Sequence, residues 1–291
     1  MGEFHQIAGY DVVAKLGEGA HSSLYAVRDS KGQVMVLKRV LKEGASQQRY
    51  LDQALAEHAV AQEVNHPRVR KTIKVMKNRS VIRVNEVLVL LEMVDGVTLE
   101  KYKTRNQIDI CRIFDQAAEG LAAMHDAGFV HADIKPNNIM VTEREGVKLI
   151  DFGQSCKIGA IKPRIQGTPD YIAPEQVKRQ AITERTDVFN LGSTIYWVLT
   201  GEHTSTLVSK RKDDVSVKSD DGGRKKLASP IERNPEIAPA LSSLVMDCIQ
   251  RDPMQRPQNM QQVRDRLVIA DAQIRRQTRT QAGAESGQAA G

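Results

Sequence analysis

The 291-residue sequence predicts an α+β chain of two lobes, a small β-rich lobe with one main helix followed by a larger, mainly helical lobe. Three features carry this reading. Residues up to about 94 are dominated by short runs of β-branched and aliphatic residues, several separated by glycine-containing turns. From about residue 97 the apolar residues recur at helical spacing instead. Between the two regimes stands Asp95-Gly96, a short turn-forming pair that reads as the hinge.

Strands are expected at Tyr10 to Leu16, Ser23 to Arg28, Val34 to Val40, Thr72 to Lys77 and Val87 to Glu92. Between the third and fourth, Tyr50, Ala54, Glu57, Ala61 and Val64 share one face of a helix over residues 47–64. That stripe is apolar except for Glu57, and an unpaired buried carboxylate is costly, so Glu57 requires a partner. Helices follow at Ile108 to Ala127, with Ile110, Phe114, Ala118, Leu121 and Met124 in series, and at Asp187 to Leu199. The polar stretch from Glu202 to Asn234 exceeds a simple connection and reads as a disordered insertion, with a substrate or partner surface as the alternative. After Arg276 the chain is mostly Gln, Ala and Gly with little to bury, and disorder is expected there.

Apolar residues at 41% and charged residues at 27% are ordinary for a folded domain. No run approaches the roughly 18 apolar residues of a membrane span, and no basic stretch followed by an apolar segment opens the chain, so a cytoplasmic location is expected. Cys111, Cys156 and Cys248 are odd in number and lack metal-ligand spacing, which fits reduced thiols. The net charge of +6 raises the question of nucleic acid, yet basic clusters such as Lys210-Arg211-Lys212 sit beside Asp213-Asp214, and aromatics are only 4%. Mixed runs of this kind read as solvated loop, and no nucleic-acid partner is expected.

Gly17-Glu18-Gly19-Ala20-His21-Ser22 falls between two strands, where a glycine-rich hairpin brings backbone N–H groups close to phosphate oxygens; a bare turn is the plain alternative. Lys38, on the third strand, is a surface lysine unless an acid awaits it, and Glu57 is that acid. The strongest local signal is His131-Ala132-Asp133-Ile134-Lys135-Pro136-Asn137-Asn138, followed after a short apolar run by Asp151-Phe152-Gly153. In extended chain Asp133 and Lys135 point the same way, one to orient or accept a hydroxyl proton and the other to screen phosphoryl charge. Ile139 to Val141 and Val147 to Ile150 flank a four-residue turn, Glu143 to Gly146. The simplest hairpin register then sets Asn138 across from Asp151, two hard oxygen ligands that suit Mg²⁺. Taken singly, each of these polar residues also reads as a loop cap; their order carries the chemistry.

In that order the motifs make the chain similar to the eukaryotic-like (Hanks-type) protein serine/threonine kinase family over residues 9–268, split into an N-lobe at 9–94 and a C-lobe at 97–268. Residues 1–8 are then an N-terminal extension and 269–291 a polar, disordered tail. The resemblance implies a bilobal protein-kinase-like fold and transfer of the γ-phosphoryl group of ATP, with Mg²⁺ or Mn²⁺, to Ser/Thr hydroxyls of protein substrates, the chain itself included. By that resemblance Lys38 holds the α- and β-phosphates and pairs with Glu57, Asp133 is the catalytic base, Lys135 contacts the γ-phosphate, and Asn138 with Asp151 binds the metal. Leu16, Gly17, Glu18 and Gly19 contact the nucleotide. Its adenine rests against Leu24, Val36 and Met140 and bonds the backbone of Glu92 and Val94, with Leu91 as gatekeeper. Lys38, Asp133, Asn138 and Asp151 must then gather at one nucleotide and metal pocket.

Gly167 to Glu175 resembles the family's peptide-docking segment, and Asp187 and Arg256 match its internal anchors, with Arg256 the partner of Glu175. Thr168 with Lys135 marks the serine/threonine branch. Four positions depart from the pattern. Ala132 replaces the arginine that binds a loop phosphate in many relatives, and Ser155 is the one hydroxyl between Gln154 and Gln166, so activity is expected without loop phosphorylation. Ser22 replaces the last loop glycine, and Asn137 and Thr98 replace the acids of arginine-directed relatives. Two rival readings stand beside a protein kinase: a scaffold that keeps the fold without catalysis, and a small-molecule kinase, which usually lacks the docking segment.

Overall fold

The computed structural model describes residues 6–19, 21–42, 44, 47–80, 83–144, 146–204, 208–211, 214–217 and 227–288. The chain divides into two compact units, Met1–Asp95 with Ile150–Ser155, and Gly96–Leu149 with Cys156–Gly291. The division falls at the Asp95-Gly96 turn.

The first unit comprises strands β1 (Gln6–Ile7), β2 (Tyr10–Gly19), β3 (Ser22–Arg28) and β4 (Val34–Leu41), helix α1 (Gln48–Glu63), and strands β5 (Thr72–Ser80) and β6 (Arg83–Leu91). They form a six-stranded antiparallel sheet in the order β1-β2-β3-β4-β6-β5. Side chains alternate across such a sheet. One face carries Val36 and Val40 of β4 with Val87, Val89 and Leu91 of β6, packed under Leu51 and Ala54 of α1. The opposite face carries Met35, Leu37, Leu88 and Leu90 with Val27 and Ile7. Lys38 lies between Val36 and Val40 in the alternation, so it projects toward α1. Ile7 sits in the core, so the stretch read as an extension supplies the edge strand β1.

The second unit begins with β7 (Val97–Thr98), α2 (Leu99–Tyr102), α3 (Gln107–Asp126) and β8 (Phe129–Val130). A 3-10 turn (Pro136–Asn138), β9 (Ile139–Val141), β10 (Val147–Leu149), β11 (Cys156–Lys157), α4 (Pro174–Val177) and α5 (Glu184–Thr200) follow. It ends with β12 (Val208–Arg211), β13 (Asp214–Val217), α6 (Pro230–Arg233), α7 (Pro239–Cys248) and α8 (Met260–Gln288). Asn106 caps α3, its side chain accepting from the N–H groups of Ile108 at 2.9 Å and Asp109 at 3.4 Å. The whole expected stripe of α3, from Ile110 to Met124, is buried. Helix α5 runs through the core with Thr186 to Tyr196 buried throughout, and it packs against α7. The approach is so close that a Cβ at Gly192 would stand 2.4 Å from Cys248 Cβ.

The β9-β10 hairpin departs from its expected register. Thr142 donates both its N–H, at 2.8 Å, and its hydroxyl, at 2.9 Å, to the Gly146 carbonyl, which closes the turn one residue tighter. Ile139 therefore pairs with Leu149, and the register continued would set Asn138 opposite Ile150, not Asp151. Asp151 belongs to the first unit, with φ +64°. Glu145 of that turn lies outside the described residues.

The end of the chain also differs from expectation. Helix α8 runs on to Gln288 where an irregular tail was expected. Its first half is anchored by buried Met260, Val263, Leu267, Ala270 and Ile274, and the Arg-, Gln- and Ala-rich continuation has high helix propensity. Within Glu202 to Asn234, the β12-β13 hairpin and α6 are formed; residues 205–207, 212–213 and 218–226 lie outside the described residues. Among the described residues no helix is long and apolar enough to cross a membrane.

Candidate active site

In the first unit, the β4 alternation that points Lys38 at α1 brings its Nζ 2.5 Å from Glu57 Oε2. Asp151 Oδ1 stands 3.8 Å from the same nitrogen. Burial draws the Lys38 amine downward, but Glu57 and Asp151 outweigh it and leave the amine above its ordinary value, a firmly held ammonium. Glu57 is the carboxylate whose place on an apolar helix face demanded a partner. It has a second cation nearby that the sequence reading missed: Arg70 Nη2 lies 3.9 Å from Glu57 Oε1. Arg70 is buried, and its Nε is without a hydrogen-bond partner.

The expected nucleotide-contacting residues of this unit lie along β2, β3, β4, the end of β6 and the stretch after it. Gly17, Glu18 and Gly19 pair with Leu24, Ser23 and Ser22. Leu16 is exposed, and Glu18 ion-pairs with Lys15 at 2.8 Å. Leu24 packs with Val36 and Leu91 on the α1 side of the sheet. The Glu92 N–H donates to the Lys71 carbonyl at 3.0 Å, and Val94 is buried. Ala20 is outside the described residues, but its neighbour His21 stacks on Tyr50 of α1 with ring centroids 3.8 Å apart.

The second unit holds Asp133, Lys135, Asn138 and Met140. Asp133 is buried to 8% exposure, and both carboxylate oxygens are engaged. Oδ1 accepts from the Thr168 N–H and from its hydroxyl, each at 2.8 Å. Oδ2 accepts from Lys135 Nζ at 3.0 Å and from Asn138 Nδ2 at 3.4 Å. Lys135 also donates to Thr168 Oγ1 at 2.8 Å, closing a carboxylate, ammonium and hydroxyl triangle. Asn138 Nδ2 also donates at 2.8 Å to the Asp133 carbonyl. Met140 is half-buried on β9, paired with Lys148 and Thr98.

The loop bearing Asp133 is tied down from below. Asp187 is wholly buried and accepts the N–H groups of His131 and Ala132, each at 2.8 Å, with His125 Nε2 at 2.9 Å. Ala132 has φ +61°, a left-handed conformation that an alanine does not favour, and the Asp187 bond to its N–H holds it there. Arg256 and Glu175 form the expected pair, bidentate at 2.7 and 2.9 Å. The guanidinium also donates to the carbonyls of Gln250, Arg185 and Arg251 and lies 4.8 Å from the Phe189 ring centroid.

The residues present suit a divalent metal of the Mg²⁺ kind. Among the described residues no group of three or more His, Cys, Asp or Glu could hold an ion. A hard cation that keeps waters and substrate phosphates needs few protein ligands, and the first unit offers the carboxylate of Asp151 and the second the carboxamide oxygen of Asn138.

The first unit is thus a small β-sheet with a lysine and glutamate pair, and the second is a mainly helical unit with a buried aspartate bonded by Thr168. Residues 10–268 match the model of the protein kinase domain, and the chain belongs to that family. It is similar, at 28% identity over 286 residues, to the serine/threonine-protein kinase pkn3 of Myxococcus xanthus, covering 92% of this chain and 51% of the relative. A probable serine/threonine-protein kinase of Clostridium acetobutylicum is 28% identical over 273 residues, 89% of this chain and 39% of its own length. The serine/threonine-protein kinase PknB of Mycolicibacterium smegmatis is 27% identical over 274 residues, 89% of this chain and 42% of its own length. The chain thus spans half or less of the last two relatives and about half of the first.

Proposed function

We propose that this chain is a protein serine/threonine kinase that transfers the γ-phosphoryl group of ATP to hydroxyls of protein substrates, itself included. The observation that carries the reading is the bonding of Asp133 by Thr168. It couples the carboxylate suited to be the base to the segment, 167–175, that resembles a peptide-docking surface.

In this reading Asp133 orients the acceptor hydroxyl and takes its proton as the new O–P bond forms. Lys135, 3.0 Å away, screens the charge on the transferring group. Lys38, held by Glu57, grips the nonreacting phosphates. A Mg²⁺ or Mn²⁺ ion, when bound, neutralises phosphate charge and fixes phosphate geometry, with Asn138 and Asp151 as its protein ligands. Leu16, Gly17, Glu18, Gly19, Leu24, Val36, Leu91, Glu92, Val94 and Met140 bind the nucleotide. The three cysteines are free thiols, which fits a cytoplasmic setting.

The test is phosphate transfer from radiolabelled Mg-ATP to the chain and to a generic basic protein, beside Asp133→Asn. Phosphoserine and phosphothreonine formed by the wild type alone support the proposal. Equal inertness of both, with nucleotide still bound, establishes a scaffold. Labelling of small alcohols in place of protein establishes a small-molecule kinase.

A further inference from the structure

Gln176, at the third position of α4, has no part in the chemistry above, yet it is buried to 3% exposure and its carboxamide makes four hydrogen bonds. Nε2 donates to the Ala132 carbonyl at 2.8 Å and to the Gln166 carbonyl at 3.2 Å. Oε1 accepts from the Ala173 N–H at 3.0 Å and from Asn190 Nδ2 at 3.2 Å. A primary carboxamide owns two N–H donors and two acceptor lone pairs, so every one is used. Two carbonyls on one side and two N–H groups on the other also settle which end of the amide is which.

These four partners belong to the loop of Asp133, the approach to Thr168, the start of α4, and the buried helix α5. Gly167 bears the mark of the same contact. A Cβ there would stand 3.2 Å from Gln176 Nε2 and 3.2 Å from Ile172 Cγ1, at a φ of +127°. The next residue, Thr168, binds Asp133 through both its N–H and its hydroxyl. Residue 132 carries a methyl group, so its link to this segment runs through its backbone carbonyl and requires no charge on the segment.

We propose that Gln176 is a positioning residue that holds residues 166–173 in the arrangement that aligns Asp133, and that this neutral clamp serves where a loop phosphate would otherwise be needed. Its effect on catalysis rests on the kinase reading; its effect on the segment does not. Glutamate is the same size but turns a carboxylate toward the Ala132 and Gln166 carbonyls, and methionine offers neither donor nor acceptor.

The experiment uses the full chain, phosphatase-treated and shown by intact mass to carry no phosphate. Hydrogen exchange of the 164–173 amides and steady-state kinetics are compared for wild type, Gln176→Met and Gln176→Glu. In Gln176→Met the segment exchanges faster while the amides of the first unit do not change. The kcat falls roughly 10- to 100-fold, as expected for orphaned buried groups, with the KM for ATP unmoved. Unchanged exchange in a folded Gln176→Met protein overturns the proposal, whatever the activity. If Gln176→Met does not fold, Gln176→Glu decides. Protonation returns one donor to the site, so its activity relative to wild type rises as pH falls from about 8 to 6, and a flat ratio overturns the proposal. If the untreated wild type transfers phosphate and the phosphatase-treated protein does not, the clamp does not stand in for a loop phosphate and the proposal is overturned. If both are inert, the kinase reading fails, and exchange in Gln176→Met alone decides the clamp, faster exchange supporting it and unchanged exchange overturning it.

Discussion

Replacing Thr168 by valine keeps the shape of the side chain and the backbone N–H but deletes the hydroxyl. The structure states what is lost: one hydrogen bond to Asp133 Oδ1 and one acceptor for Lys135 Nζ, each at 2.8 Å. Both bonds involve a charged group, and bonds of that kind are worth about 1.5–3 kcal/mol. The Thr168 N–H still reaches Asp133 at 2.8 Å, and Lys135 keeps its 3.0 Å contact with Asp133, so only part of the alignment is lost. A net cost of about 2 kcal/mol in the transition state predicts a kcat reduced ~30-fold. The assay is initial-rate peptide phosphorylation at saturating Mg-ATP, with nucleotide affinity measured separately and expected to be unchanged. Thr168→Ser, which restores the hydroxyl, recovers most of the rate. Full activity in Thr168→Val would refute the idea that this triangle sets the position of Asp133.

Three further outcomes follow from other parts of the molecule. Arg256→Met strips Glu175 of its buried bidentate partner and lowers stability by about 3–5 kcal/mol in urea unfolding, whereas pairing it with Glu175→Met recovers a large share. Lys38→Met abolishes activity but leaves the fold intact, because Arg70 still faces Glu57; Lys38→Met with Arg70→Met loses more stability than the two singles combined, by about 1 kcal/mol or more in a double-mutant cycle. Burial pushes the thiols of Cys111 and Cys248 up to about 12, from an ordinary 9.0. Both groups gain their protons in the fold, so at pH 8 their thiolate fraction is reduced roughly a thousandfold and reagent labelling is slow until the chain is unfolded.

Much of the catalytic side was legible because each residue's role depends on local pattern. The alternation of β4 set Lys38 on the helix side of the sheet, and the 3.6-residue period of α1 set Glu57 on the face that meets it. A charged residue amid apolar ones is a signal, since burial without a partner is so costly. The same logic explains what was missed. Arg70 sits in an irregular stretch between α1 and β5, where no period announces burial. Gln176 follows a motif that already had a reading, and a single glutamine carries no charge to explain.

The sequence by itself determined the alternation of strands and helices, the order of the polar motifs, and the pairing of Lys38 with Glu57, while the pairing of Arg256 with Glu175 was implied by the family resemblance of those motifs. Periodicity and charge are written locally along the chain. Tertiary structure alone decided how tightly the β9-β10 turn closes, that Arg70 becomes a second buried cation beside Glu57, and that Thr168 and Gln176 bind the loop of Asp133. Those outcomes depend on which backbone carbonyls and N–H groups distant segments bring within about 3 Å of a side chain, and that distance is set by packing.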